Sequence, residues 1–193
     1  MKIILAGYIA LEATHKLIEN EKPALRCRFS NRFLDITDEM TFTQMVSRDS
    51  IIEVMQSEGA SIQDSEMDGL SNVIELSDMG IFGSLWDYAE QTGTGLTINL
   101  ESISIRQETI EIFECLDVNP YTYPSKGSFL IRSDRAYDIA DALVKNNIPA
   151  AVIGKETSVK DRVVINQDET RFLTPVDRLL KDEQGMRDLR YIK

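Results

Sequence analysis

Histidine is almost missing from this chain of 193 residues, cysteine occurs twice, and basic residues are outnumbered by acidic ones, 21 to 32. With His15 as the single imidazole, most zinc sites and most histidine-based acid–base chemistry lack their ligands, and no Ser-His-Asp arrangement is readable. No metal site is expected. Cys27 and Cys115 form neither a C-x-x-C pair nor a disulfide framework, which predicts two buried thiols in a reducing compartment. The formal charge of −11 opposes a nucleic-acid groove, because phosphate backbones need clustered Lys and Arg, and "RCRF" with Arg32 behind it is too short a cluster. No apolar run approaches the ~20 residues of a membrane span. The first residues, "MKIILAGYIALEATHKL", are broken by Gly7 and Glu12 and pass straight into a helical pattern. They read as a folded strand and helix rather than a signal peptide, and a cytoplasmic location is expected.

What is present is alternation. "KIILA" is a β-type run ended by Gly7, and Ile9, Leu11, Ala13, Leu17 and Ile18 follow at helical spacing. Ser30 is placed to cap "NRFLDI", and Ser47 or Asp49 to cap the helix through Ile51, Ile52, Val54 and Met55. Residues 58–71 carry Gly, Ser, Asp and Glu without periodicity and read as a surface loop. A strand over Asn72–Leu76 leads into a helix over Gly80–Gln91, stopped by Gly93, with Ile81, Phe82, Leu85, Trp86 and Ala89 on one stripe. Leu96–Leu100, "GSFLIRS", "AAVIGKE", "DRVVINQ" and "TRFL" are expected strands. "RQETIEIFECLD", closed by Pro120, and a helix capped by Asp134 are expected between them. Several neighbouring strands lack a crossover helix, so the class is α+β, a mixed and largely antiparallel sheet flanked by helices. A single domain over 1–193 is expected, with a core of about 2–175 and a charged helix and tail over 176–193.

The turn "ELSDMG" holds the acids Glu75 and Asp78 at the start of a helix. Two readings stand. Acids there accept N–H bonds and complement the helix dipole, which needs no ligand. The same groups could instead form a ligand site. Glu12 occupies the first turn of its own helix, where capping explains it as well as function does. "SKGS", with Ser125 and Gly127, could offer backbone N–H groups to an anion or simply turn the chain into a strand. His15 is most simply a surface or satisfied core histidine. "GTG" at Gly93–Gly95 follows a helix, so it is a helix stop and not a phosphate-binding fingerprint.

The segment from "GIFGSLWDYAEQTGTGLTINLESISIRQ" through "YPSKGSFLI", with "AAVIGKETS" after it and "GYIALEATHKL" and "FSNRFLD" before it, resembles a known family. It is similar to the C-terminal domain of the aminoimidazole ribonucleotide synthetase superfamily, in its hydrogenase maturation factor branch, over about residues 2–175. The resemblance implies a two-domain ATP-using enzyme in which an N-terminal domain holds Mg–ATP through aspartates and the C-terminal domain closes over the nucleotide. It also implies a turn of the type His-Asp-x-Thr-x-Gly-Gly. Here Ile74, Glu75, Ser77, Asp78, Met79 and Gly80 stand at those places, and Ala10 stands where a glycine is usual. Met79 obstructs the close approach of backbone to phosphate that glycine permits. The branch further implies a C-terminal cysteine that carries a carbamoyl group, whereas this sequence ends "DLRYIK".

Candidate ligand-binding residues are therefore Gly7, Glu12, Glu75, Ser77, Asp78, Gly80, Ser125 and Gly127. The expectation is a stand-alone homologue of that C-terminal domain, a homodimeric binding or interaction module with no cofactor of its own. The alternative is the C-terminal half of a split enzyme, with Mg–ATP bound only when a separate nucleotide-binding-domain chain is present.

Overall fold

The computed structural model describes residues 1–60 and 71–176. The expected loop at 58–71 and the charged tail at 176–193 therefore lie mostly outside the described residues. The first strand, β1 (Lys2–Ala6), is followed by α1 (Leu11–Asn20), a one-turn α2 (Lys22–Leu25), α3 (Asn31–Thr43) and α4 (Arg48–Ser57). The chain continues through β2 (Val73–Glu75), α5 (Gly80–Thr92), β3 (Gly95–Asn99) and α6 (Gln107–Cys115). Then come β4 (Phe129–Ser133), α7 (Ala136–Lys145), β5 (Ala150–Thr157), β6 (Arg162–Asn166) and β7 (Glu169–Phe172).

Short-range chemistry sets the helix starts. Ser30 accepts a hydrogen bond from the Phe33 N–H at 3.2 Å, and Ser47 from the Ser50 N–H at 3.1 Å, so each fills an orphan donor of its helix. Asp134 does not cap α7. That helix begins at Ala136 without a side-chain cap, and Ser133 instead accepts from the Arg135 N–H at 3.0 Å. Cys27 lies exposed in the turn after α2, so the expectation of two buried thiols fails for it; Cys115 is half-buried, and both are free.

The strands form one seven-stranded sheet in the order β2-β4-β1-β5-β3-β6-β7. Every neighbouring pair is antiparallel except β3 with β6. The class is thus the expected one, a mixed and mostly antiparallel sheet with helices.

Alternation along β1 explains the layers. Ile3 and Leu5 enter a core with Leu17, Leu85, Phe113 and Ile153, while Ile4 and Ala6 enter a second core with Ile51, Met55, Ile139 and Leu143. Successive side chains of a strand point to opposite faces, so β1 is sandwiched between α1, α5 and α6 on one side and α4 and α7 on the other. Of the helix stripe read from the sequence, Ile81, Leu85 and Ala89 are fully buried, and Phe82 and Trp86 pack against the first core from its margin.

One polar knot crosses this framework. Glu156 of β5, 9% exposed, accepts a hydrogen bond from the Tyr88 hydroxyl, and pairs with Arg132 at 2.8 Å and with the Met1 amino group at 3.6 Å. Burial first, and then the bond to Glu156, push the Tyr88 phenol well above its ordinary range.

Candidate functional site

Three turns meet at one end of the sheet. After β1 the chain bends at Gly7, where φ is 93° and a Cβ would lie 3.0 Å from the Gly127 carbonyl oxygen, so only glycine lets the two backbones touch. Gly127 accepts a bond from the Val46 N–H at 2.9 Å and donates its own N–H to Glu75 Oε1 at 3.0 Å. Ser125 is completely buried. It accepts from the Ala10 N–H and donates to the Tyr123 carbonyl, both at 2.9 Å, and Ser128 donates to the Tyr8 carbonyl at 2.6 Å. Ala10, at the position where the family tends to have glycine, holds a left-handed φ of 60°. The backbone there is glycine-like although the residue is not.

Gly7, Glu75, Ser125 and Gly127 are thus brought together although up to 120 positions separate them in sequence. Glu75 sits at the end of β2 and serves as a brace for the Gly127 turn rather than as a helix-start acid. Ser77 donates its N–H to Ser84 Oγ at 2.9 Å and accepts from the Met79 N–H at 3.2 Å. Ser84 in turn donates to the Gly80 carbonyl at 2.8 Å. Gly80 presses on the segment that carries Ser125: a Cβ at its φ of 67° would lie 2.6 Å from the Tyr121 oxygen and 2.7 Å from Tyr123 N. Asp78 is exposed and 3.7 Å from the Lys126 ammonium. Glu12 lies apart on α1 and pairs with Lys16 at 2.6 Å.

Met79 does not stand over an open cradle. It is 8% exposed, and its Cβ fills the place above Gly83, where an added methyl would come within 2.2 Å of it. Met79→Gly is accordingly expected to cost about 2 kcal/mol, at the low end for truncating a buried side chain. Pyrophosphate affinity should not rise. A denaturation curve and a titration of the same mutant check both halves, and a gain in anion binding would refute the packing role.

A second group of residues was not marked by the sequence. The Arg106 guanidinium, just before α6, lies 5.5 Å from the Tyr8 ring centroid and 3.2 Å from Glu108. Burial works against the charge of Arg106, but Glu108 and the Tyr8 hydroxyl outweigh it and hold its pKa above the ordinary value. The Ile9 N–H to Ser104 carbonyl bond, 3.1 Å, and the Thr14–Thr109 hydroxyl bond, 3.1 Å, set α1 and α6 side by side with their N-termini at the same end.

Glu12 Oε2, Arg106 Nε, Glu108 Oε2 and Gln44 Oε1 are buried without a hydrogen-bond partner among the described residues. Such atoms normally have one. Gln44 and Tyr8 also line a cleft of about 370 Å³ with Ser47, Ser50 and Asn147. Arg106 and Tyr8 are almost a hundred residues apart with no shared motif, so only the tertiary fold reveals them. Among the described residues no group of three or more His, Cys, Asp or Glu could hold a metal ion.

No family model matches the sequence, and no curated protein matches it. Solved structures do match. A hydrogenase maturation protein, HypE, aligns with a TM-score of 0.67 at 17% identity, over 96% of this chain and 55% of that one. HypE in a HypE–HypF complex aligns at 0.68 and 13%, over 91% and 52%. Thiamine-monophosphate kinase from Stenotrophomonas maltophilia K279a aligns at 0.55 and 11%, over 87% and 50%. The chain spans about half the length of these proteins. At such identities the likeness speaks for the fold: the chain shares the fold of about half of HypE and of thiamine-monophosphate kinase, which agrees with the fold that the resemblance of the sequence implies.

Proposed function

We propose that this domain is a non-catalytic binding or interaction module, working as a homodimer in the cytoplasm, with no nucleotide chemistry of its own. The observation that carries this reading is how the turn groups are used. The Gly127 N–H goes to Glu75, Ser125 to Ala10 and Tyr123, and Ser77 to Ser84 and Met79, so none of these is left pointing at a phosphate. Orphan polar atoms remain instead at Glu12, Gln44, Arg106 and Glu108, where a partner's polar groups could satisfy them. Among the described residues no helix is long and apolar enough to cross a membrane.

Calorimetric titration of the chain with Mg–ATP is expected to give no binding heat at tens of micromolar nucleotide. A dissociation constant in the low micromolar range would overturn the reading. The second reading is a split enzyme in which a separate chain brings the nucleotide domain, and it is favoured by one finding. The matched fold occurs as half of a larger protein, and one such protein was solved in complex with another, HypF. Nucleotide binding that arises only on adding a partner chain would establish it. Asp78→Lys is the suitable surface probe, because Asp78 is exposed whereas Glu75 braces the Gly127 turn.

A further inference from the structure

We propose that a cleft beside the start of α5 binds a small planar aromatic anion, a site separate from the turns described above and independent of whether the chain has a catalytic partner. Its floor is a ready-made stacking surface: the Phe82 and Tyr121 rings lie 5.1 Å apart at 12°. Leu100, Val164 and Phe172 wall the same cleft. The volume of about 290 Å³ is at the small end for ligand clefts, which limits the occupant to one or two rings.

Polar groups are confined to a few places, as in sites where apolar walls give affinity and single donors give orientation. Asn119 uses its carbonyl to accept from the Tyr121 N–H at 3.0 Å, which leaves its amide N–H₂ as a donor. The Asn166 amide has no hydrogen bond among the described residues, and Arg171 brings the cation. Among the described residues Arg171 is paired with Glu169 alone, at 2.7 Å, where both are largely exposed. Such a pair is weak enough for a desolvated carboxylate or sulfonate stacked beneath it to compete. Burial raises the Tyr121 phenol, so it stays uncharged and does not repel an anion at neutral pH. Phe172 is 69% exposed although it lines the cleft, an arrangement that a stacked ring would cover.

The test uses two fluorescent two-ring probes of nearly one shape, the anionic naphthalene-2-sulfonate and the uncharged naphthalene-2-sulfonamide. Wild type should bind one equivalent of each saturably. Phe172→Ser should weaken both at least fivefold, and Arg171→Glu should weaken the sulfonate at least fivefold while leaving the neutral probe within twofold. Both residues are exposed, so circular dichroism and melting should match wild type. Absence of saturable binding would overturn the proposal. So would binding that ignores Phe172, which would place the probes elsewhere, or equal losses of both probes in Arg171→Glu, which would remove the anion preference.

Discussion

Gly80→Ala is expected to lower stability by about 3–4 kcal/mol. Two terms add. A left-handed backbone costs a residue with a Cβ roughly 1–2 kcal/mol, and forcing a methyl into packed space costs roughly 1–3 kcal/mol more. The new carbon would begin 2.6 Å from the Tyr121 oxygen and 2.7 Å from both N and O of Tyr123, all backbone atoms that cannot swing aside as a side-chain tip can. Gly93→Ala separates the terms. Gly93 has nearly the same φ, 65°, but nothing within 4 Å of the added carbon, so about 1 kcal/mol should be lost there. Urea midpoints of the two mutants, with unchanged slopes, give the comparison. If Gly80→Ala costs no more than Gly93→Ala, the close approach to the Tyr121–Tyr123 segment is not what fixes the turn.

Glu156→Gln should cost about 3 kcal/mol. The carboxylate is almost buried and serves Tyr88, Arg132 and the Met1 amino group together, so neutralising it leaves Arg132 without its counter-charge. Breaking a buried pair from one side costs roughly 3–5 kcal/mol, and the partial exposure of Arg132 moves the expectation to the lower end.

The same knot gives a pH signature. Burial and the Glu156 bond raise the Tyr88 phenol in the folded chain above its unfolded value of about 10. Above that pH the unfolded chain binds fewer protons than the folded one, so stability present below pH ~10 is lost as pH rises toward the folded pKa. Denaturation at pH 9 and at pH 11 should show this fall in wild type and much less of it in Tyr88→Phe. An equal fall in the mutant would show that the loss comes from other groups.

Local chemistry was the legible part of this fold. Ser30, Ser47 and Gly93 mark helix ends because a cap or a left-handed stop involves only a few neighbours in sequence. Asp134 misled for a related reason. β4 runs on to Ser133, which takes the Arg135 N–H, and α7 then starts at Ala136 with no side-chain cap. The four-residue α2 carries too short a pattern to show a period.

The candidate site was half legible. The sequence picked out Gly7, Glu75, Ser125 and Gly127 as unusual, and their convergence is a tertiary fact. What each does there depended on partners more than fifty positions away. Gln44, Arg106 and Glu108 gave no signal, because an unpartnered buried atom is visible only once the surroundings are known.

The position of β1 also decides when the chain can fold. It lies inside the sheet and pairs on one side with β4 and on the other with β5, so Lys2 meets Ser133 and Lys155. At synthesis rates of roughly 5–20 residues per second, the first strand waits about 8–30 s for its second neighbour to be made. Throughout that interval "IILA" is an apolar segment with two unfilled edges, dependent on whatever holds nascent chains apart. Refolding from denaturant has no such ordering, but most of the strand pairing is non-local, which makes slow folding the expectation.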